Sequence, residues 1–345
     1  MDNCRSDQNK IKGAIQIMSF KNIANLLPPI VVRISRILGI RAPWSVRSAI
    51  SLDKLSNSDE HFKVTIPVEN SGRVVFENVV VDLKSGYCFD TEFSVIKETS
   101  NWPILELTKR TIPRPISTPL TYDVEKIATV LPSNGFYHWL IEDLPGVIEI
   151  LEDKDFTRVL IYQNAPKFIF DFLKSFQIEF EKYPRFSKFE RLTMPIRKDN
   201  IGAPSIYDIA LLRNFFMPKL SRQGVKHDVY ISRINSSRSP SFERELQSQL
   251  IAKGWKIAYL EEMDLITQFN VFQNAKSILG VHGAGLSGFI FSDVEAPIFE
   301  LYPSDRDIKC FENIAKATGH NLTRIPFESE AKEVPANLIS MINLM

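Results

Sequence analysis

Three observations predict an α/β fold for this 345-residue chain. Short apolar runs alternate with amphipathic helical patterns from residue 228 to 318, the rhythm of a parallel sheet with helices on both faces. The run Ser277-Ile278-Leu279-Gly280-Val281 is apolar throughout, as a strand buried on both faces must be. It leads into His282-Gly283-Ala284-Gly285-Leu286 and then a helical stretch through Phe291. Strand, glycine turn and helix N-terminus together form an anion site, because glycine admits close backbone approach and the first helical N–H groups point outward.

The remaining elements follow in chain order. Residues 1–50 carry eight Lys/Arg against Asp2 and Asp7, a local +6 in a chain whose net charge is +1. Within them Ile30, Val31, Ile34, Ile37 and Leu38 share one helical face while Arg33 and Arg36 lie away from it. Pro29 suits the first turn and Gly39 the stop. Such a helix either packs on the protein's own core or lies on an anionic membrane surface through residues 28–47. Phe62–Val68, Val74–Phe76 and Val79–Val81 alternate as strands, with Ser71-Gly72 as a turn. Pro103, Pro113, Pro115 and Pro119 mark a loop, and the block Phe136–Leu144 reads as a helix that Pro145 kinks or ends. Val159–Tyr162 reads as a strand and Phe168–Phe176 as a helix. Residues 184–222 show no clear period, and a domain boundary is placed near 222.

Beyond it, strands are expected at 228–233, 255–260, 277–281 and 298–301. Helices are expected at 241–253, from an Asp264 cap to Ala275, at 286–292 and at 311–318. Three units result: a basic extension over 1–50, an α/β domain over 51–222 and a Rossmann-like domain over 223–345. Ligands in parallel sheets sit at the carboxyl ends of the strands, where Arg233, His282 and Glu300 are all expected to fall.

Composition narrows the function. The near-neutral balance provides no global basic field for nucleic acid. Three cysteines without a CxxC spacing fit a reducing compartment and give no zinc site. No run reaches the length of a membrane-spanning helix and no signal peptide is evident, so the expected location is cytoplasmic. Gly283–Gly288 formally matches GxGxxG, but it falls near the end of the chain, where a dinucleotide fold would open with it. No GxSxG elbow accompanies the His-Gly turn, which disfavours an esterase.

The motifs Tyr230-Ile231-Ser232-Arg233, Ala275 to Leu286 and Phe299-Glu300-Leu301-Tyr302 stand in register with Asn134-Gly135-Phe136-Tyr137-His138-Trp139-Leu140-Ile141-Glu142-Asp143-Leu144-Pro145. Across residues 120–305 the chain resembles the family 61 glycosyltransferases, among them bacterial capsular-polysaccharide enzymes. The resemblance implies a GT-B architecture of two Rossmann-like domains facing across a cleft. It also implies inversion at the anomeric carbon, mostly without a catalytic metal.

Sugar transfer from a nucleoside diphosphate needs positive charge at the leaving pyrophosphate. Arg233 suits this through its planar fork, with Ser232 and His282 beside it and the amides of Gly283, Ala284, Gly285 and Leu286 as helix-end donors. Glu300 is expected to accept from ribose hydroxyls. His138 and Glu142, four apart on one helix face, are the two candidates for general base, and the resemblance favours Glu142. Asp143 points elsewhere and is expected to be structural. No cofactor or metal is expected, although Asp305-Arg306-Asp307 matches a DxD string. The partners expected are a nucleotide-sugar and a glycan or lipid-linked acceptor, in surface polysaccharide biosynthesis. The alternative is a catalytically silent member of the fold that binds nucleotide or glycan.

Overall fold

A computed structural model describes residues 48–340, except 53–54, 56–62, 66–71, 101–112, 116–118, 125–126, 133–134, 198–200, 337 and 339. The expected basic helix of the N-terminal extension lies outside the described residues, as do Ser71 and the end of the first expected strand.

The fold is mixed α/β with three sheets. The N-terminal strands are β1 (Ala49–Ile50), β2 (Lys63–Thr65), β3 (Arg73–Asp82), β4 (Tyr87–Phe89), β5 (Val95–Ile96) and β6 (Thr121–Tyr122). Next come β7 (Ile127–Val130), β8 (Phe156–Tyr162) and β9 (Phe180–Tyr183), which form a parallel sheet of their own. The ten-residue β10 (Phe186–Pro195) returns to run antiparallel to β3, completing a seven-stranded sheet in the order β1-β5-β4-β3-β10-β6 with β2 also on β3. The C-terminal sheet is wholly parallel: β11 (His227–Ile231), β12 (Lys256–Ala258), β13 (Ala275–Val281), β14 (Ile298–Pro303) and β15 (Leu322–Phe327), ordered β12-β11-β13-β14-β15. β13 lies at its centre and buries every residue but Lys276, which accounts for its unbroken apolar run.

Two expectations change on physical grounds. The separate strands at 74–76 and 79–81 are one strand, because Asn78 takes a left-handed conformation (φ 57°) and carries β3 through the polar Glu77-Asn78 break. Pro145 neither ends nor breaks its helix. Phe136–His138 (α1) widens into a π turn over Trp139–Asp143, in which Leu144 N–H donates to Trp139 O, and continues as Leu144–Leu151 (α2). Proline lacks an N–H, and the wider turn just before it absorbs the missing bond.

The remaining helices are α3 (Lys167–Ser175), α4 (Ile206–Phe216), α5 (Glu243–Ala252), α6 (Leu265–Gln273), capped by Asp264 as expected, and α7 (Cys310–Thr318). Between β13 and β14 runs a 3₁₀ helix over Ala284–Phe291. The largest core joins Trp139, Leu140, Leu144 and Val147 to Phe216, Phe269, Phe272, Ile278, Phe289 and Phe291, so residues on both sides of position 222 share it. Phe269 and Phe291 lie 4.2 Å apart between ring centroids, and Phe216 meets Phe269 edge-on at 4.9 Å. This core packs the helical run Phe136–Leu151, called the signature helix below, against the 3₁₀ helix that follows the glycine turn. Among the described residues no helix is long and apolar enough to cross a membrane.

Candidate active site

The carboxyl ends of β11 and β13 build one half of the site. Arg233 leaves β11 half-buried, and its Nη1 donates to the backbone carbonyl of His282 while Nη2 donates to Ser236 Oγ at 3.1 Å. The guanidinium thereby lies against Gly283. A Cβ on that residue would stand 2.5 Å from Arg233 Nη1, so any larger residue would push the guanidinium aside. Burial, and then the nearby Arg238, lower the Arg233 pKa. Ala284 and Gly285 head the 3₁₀ helix with N–H groups ahead of its first internal bond. Leu286 differs from the expectation, because its N–H donates to Gly283 O at 2.9 Å and its side chain is buried against Gly280. Ser232 likewise faces inward: it is buried, and its Oγ accepts from Gln247 Nε2 at 2.9 Å and from Ile234 N–H at 3.2 Å.

Glu300 is not at a strand end. β14 continues to Pro303, which leaves Glu300 mid-strand opposite Gly280 and fully buried. One oxygen lies 2.5 Å from His282 Nδ1 and the other accepts from Arg324 Nε at 2.7 Å. A carboxylate so engaged accepts from Nδ1–H and fixes the orientation of the imidazole ring. Both Glu300 oxygens are therefore occupied inside the protein, where the sequence reading had them facing a ribose.

A second buried carboxylate had no signal in the sequence. Glu243, the first residue of α5, accepts from Arg233 N–H at 2.5 Å, Tyr230 Oη–H at 3.1 Å and Ser239 Oγ–H at 2.5 Å. It gathers the whole 232–239 loop, and only the fold brings those donors to it.

The signature helix supplies the other half. His138 Nδ1 lies 2.8 Å from Glu142 Oε2, and Glu142 Oε1 accepts from Gly202 N–H at 2.8 Å. The Glu142 side chain is 7% exposed and that of His138 is 48% exposed, so the imidazole fronts solvent and the carboxylate backs it. The hydrogen bond to Glu142 raises the His138 pKa, against the opposing effect of burial. Asp143 is structural as expected, buried in an ion pair with Arg197 at 3.2 Å.

Aromatic contacts join the halves. Tyr137 meets His138 and Phe311 at 5.5 and 5.9 Å between centroids, and Phe311 meets His282 at 5.1 Å. Gly202 closes onto Cys310 and the Tyr137 hydroxyl, and Asn313 Nδ2 donates to Gly202 O at 2.9 Å. Helix α7 thus bridges the two motifs. Of the DxD string, Asp305 accepts from Ser329 Oγ and Asp307 from Arg324 Nη1, each at 2.5 Å. Among the described residues no group of three His, Cys, Asp or Glu side chains converges to hold a metal.

Residues 136–298 match the model of the family described as Glycosyltransferase 61. Over this stretch the chain carries a glycosyltransferase family 61 domain. The matched stretch runs from the start of the His138 helix past the His282 turn to the start of β14, and a domain of this family supports a transferase. No curated protein matches the chain. Arg324 and Glu300 lie beyond the matched residues of this family 61 domain.

Proposed function

We propose that the chain is an inverting glycosyltransferase that moves a sugar from a nucleoside-diphosphate donor to a hydroxyl of a glycan or lipid-linked glycan acceptor. The observation that carries this reading is the His138–Glu142 pair, tied through Tyr137 and Phe311 to the rim of Arg233, His282 and the Gly283–Gly285 turn. A base and an anion site are the two things an inverting displacement requires.

His138 is the base in this reading, because Glu142 is enclosed by His138 and Gly202 whereas the imidazole is half exposed. Glu142 holds Nδ1–H, so Nε2 accepts the proton of the acceptor hydroxyl. The acceptor oxygen then forms its bond to the anomeric carbon on the face opposite the departing phosphate. The breaking carbon–oxygen bond leaves its electron pair on the diphosphate. Arg233, His282 and the N–H groups of the turn meet that charge, a task these side chains perform without a metal.

In this reading the three-stranded and five-stranded parallel sheets would serve as the two halves of a GT-B arrangement. An acceptor held at the inner face of a membrane would suit the basic residues of the 28–47 segment, in surface polysaccharide or capsule assembly. The test is transfer itself. Purified chain is incubated with UDP-, GDP-, dTDP- and CMP-sugars and an acceptor-lipid extract, and the anomeric configuration of the product is read by NMR. Inverted product that disappears with His138→Asn supports the reading. Retained configuration, or full activity in His138→Asn, overturns it.

A further inference from the structure

Beneath the rim lies a concentration of charge that the transfer chemistry above does not use. Glu300, Asp307 and Glu312 converge on one side chain, Arg324 of β15. Its Nε donates to Glu300 Oε2 at 2.7 Å, and its Nη1 donates to Asp307 Oδ1 at 2.5 Å and to Glu312 Oε1 at 2.9 Å. Nη2 donates to Ile308 O at 3.1 Å, and the guanidinium lies 4.0 Å over the Tyr302 ring. The side chain is 10% exposed, so it does not reach a ligand on the surface. Through Glu300, however, it is one hydrogen bond removed from His282, and His282 precedes the glycine turn.

An anion site built over three carboxylates is in electrostatic conflict with its own foundation. A single cation set among them, held by four hydrogen bonds and a ring, removes most of that conflict. From this arrangement we infer that Arg324 is a positioning residue for the donor diphosphate: it neutralises the acids under the turn and locks Glu300 onto the His282 ring, so that these carboxylates are held in ion pairs and do not oppose the phosphate. The inference rests on the donor site proposed above. It extends that site to β15, a strand outside the stretch that matches the family.

The charges facing this cluster from the surrounding elements are His282 after β13, Lys309 and Glu312 at the start of α7, and Asp305, Arg306 and Asp307 in the loop after β14. Replacing Arg324 by a neutral side chain removes the cation that bonds all three acids, leaving Glu300 beside His282 and Asp307 beside Lys309. The rim becomes acidic, and a diphosphate is repelled.

The test uses the full chain and two probes, inorganic pyrophosphate and whichever of UDP, GDP, CDP and dTDP stabilises the wild type most, with the matching uncharged nucleoside as control. Binding is measured by calorimetry at low and high salt. Arg324→Gln is expected to weaken both anions about fivefold to tenfold at low salt, and less at high salt, while leaving the nucleoside unchanged. Arg324→Lys is expected to restore much of the affinity. Glu312→Gln, a partly exposed acid in the same cluster, is expected to tighten anion binding, and it keeps the inference testable if Arg324→Gln does not fold. Unchanged anion affinity in a folded Arg324→Gln, or equal losses for anion and nucleoside, would overturn the role of Arg324. Absence of any anion binding by the wild type would instead overturn the donor site on which it rests.

Discussion

Glu142→Gln is the substitution that separates a positioning carboxylate from a bystander. The carboxylate satisfies two donors at once, His138 Nδ1 at 2.8 Å and Gly202 N–H at 2.8 Å, with a side chain only 7% exposed. An amide of the same shape has one oxygen. If that oxygen stays with Gly202, the introduced NH₂ faces Nδ1 and drives the imidazole proton to Nε2, where it blocks the base. If it turns to His138, the Gly202 N–H loses its acceptor, at a cost of about 1–3 kcal/mol. The first arrangement removes the base, which costs roughly 10²- to 10⁴-fold in rate, or about 3–5 kcal/mol of barrier; it is the one expected, because the second leaves a buried N–H unpaired. The hydrogen bond to Glu142 also raises the His138 pKa, so the acidic limb of the rate profile is expected to move to lower pH in the variant. The assay is kcat against pH from 5 to 9 with a saturating sugar nucleotide, beside a melting curve. A folded variant with kcat within about threefold of wild type, and an unmoved limb, would refute the reasoning.

Further outcomes follow from the same structure. Arg233→Lys is expected to lose most donor affinity by calorimetry, since an ammonium cannot hold the His282 carbonyl and Ser236 while facing a phosphate. Gly283→Ala places a methyl 2.5 Å from Arg233 Nη1, and it is expected to displace the guanidinium and weaken donor binding by calorimetry, with little change in Tm. Asp143→Ala strands Arg197, whose side chain is 4% exposed, and is expected to cost about 3–5 kcal/mol in denaturant unfolding. His320 is buried with its Nε2 2.9 Å from Ser292 Oγ, and burial lowers its pKa from 6.5 to about 4. The unfolded chain therefore binds this proton first as pH falls. Stability is expected to decline between pH 6.5 and about 4, by at most about 3 kcal/mol, and His320→Gln is expected to flatten that part of the curve.

What the sequence revealed was what is local. β13 announced itself because a central parallel strand must be apolar on both faces, and the turn after it because its glycines leave room for the Arg233 guanidinium. Asp264 capped its helix because a cap depends on residues three apart. β10 stayed hidden because Glu190 and Arg191 interrupt its alternation, and its partner β3 lies about a hundred residues away. Glu300 was read from its place near a strand end, yet its role is set by Arg324, which β15 brings alongside in parallel register. Glu243 and the Phe311 bridge were illegible for the same reason: their partners come from other elements. The choice between His138 and Glu142 could not be made from spacing, because i and i+4 positions share a face, and only burial shows which one fronts solvent.

The central claim is that the rim of Arg233, His282 and the glycine turn binds a nucleoside-diphosphate sugar. Its most direct test is thermal stabilisation of the wild type and of Arg233→Ala across UDP-, GDP- and dTDP-sugars. A donor at a hundred times its Kd stabilises by about 2.7 kcal/mol, so the wild type is expected to show a clear rise in Tm with one of them and Arg233→Ala none. Equal shifts in both proteins, or no shift with any sugar nucleotide, would contradict it.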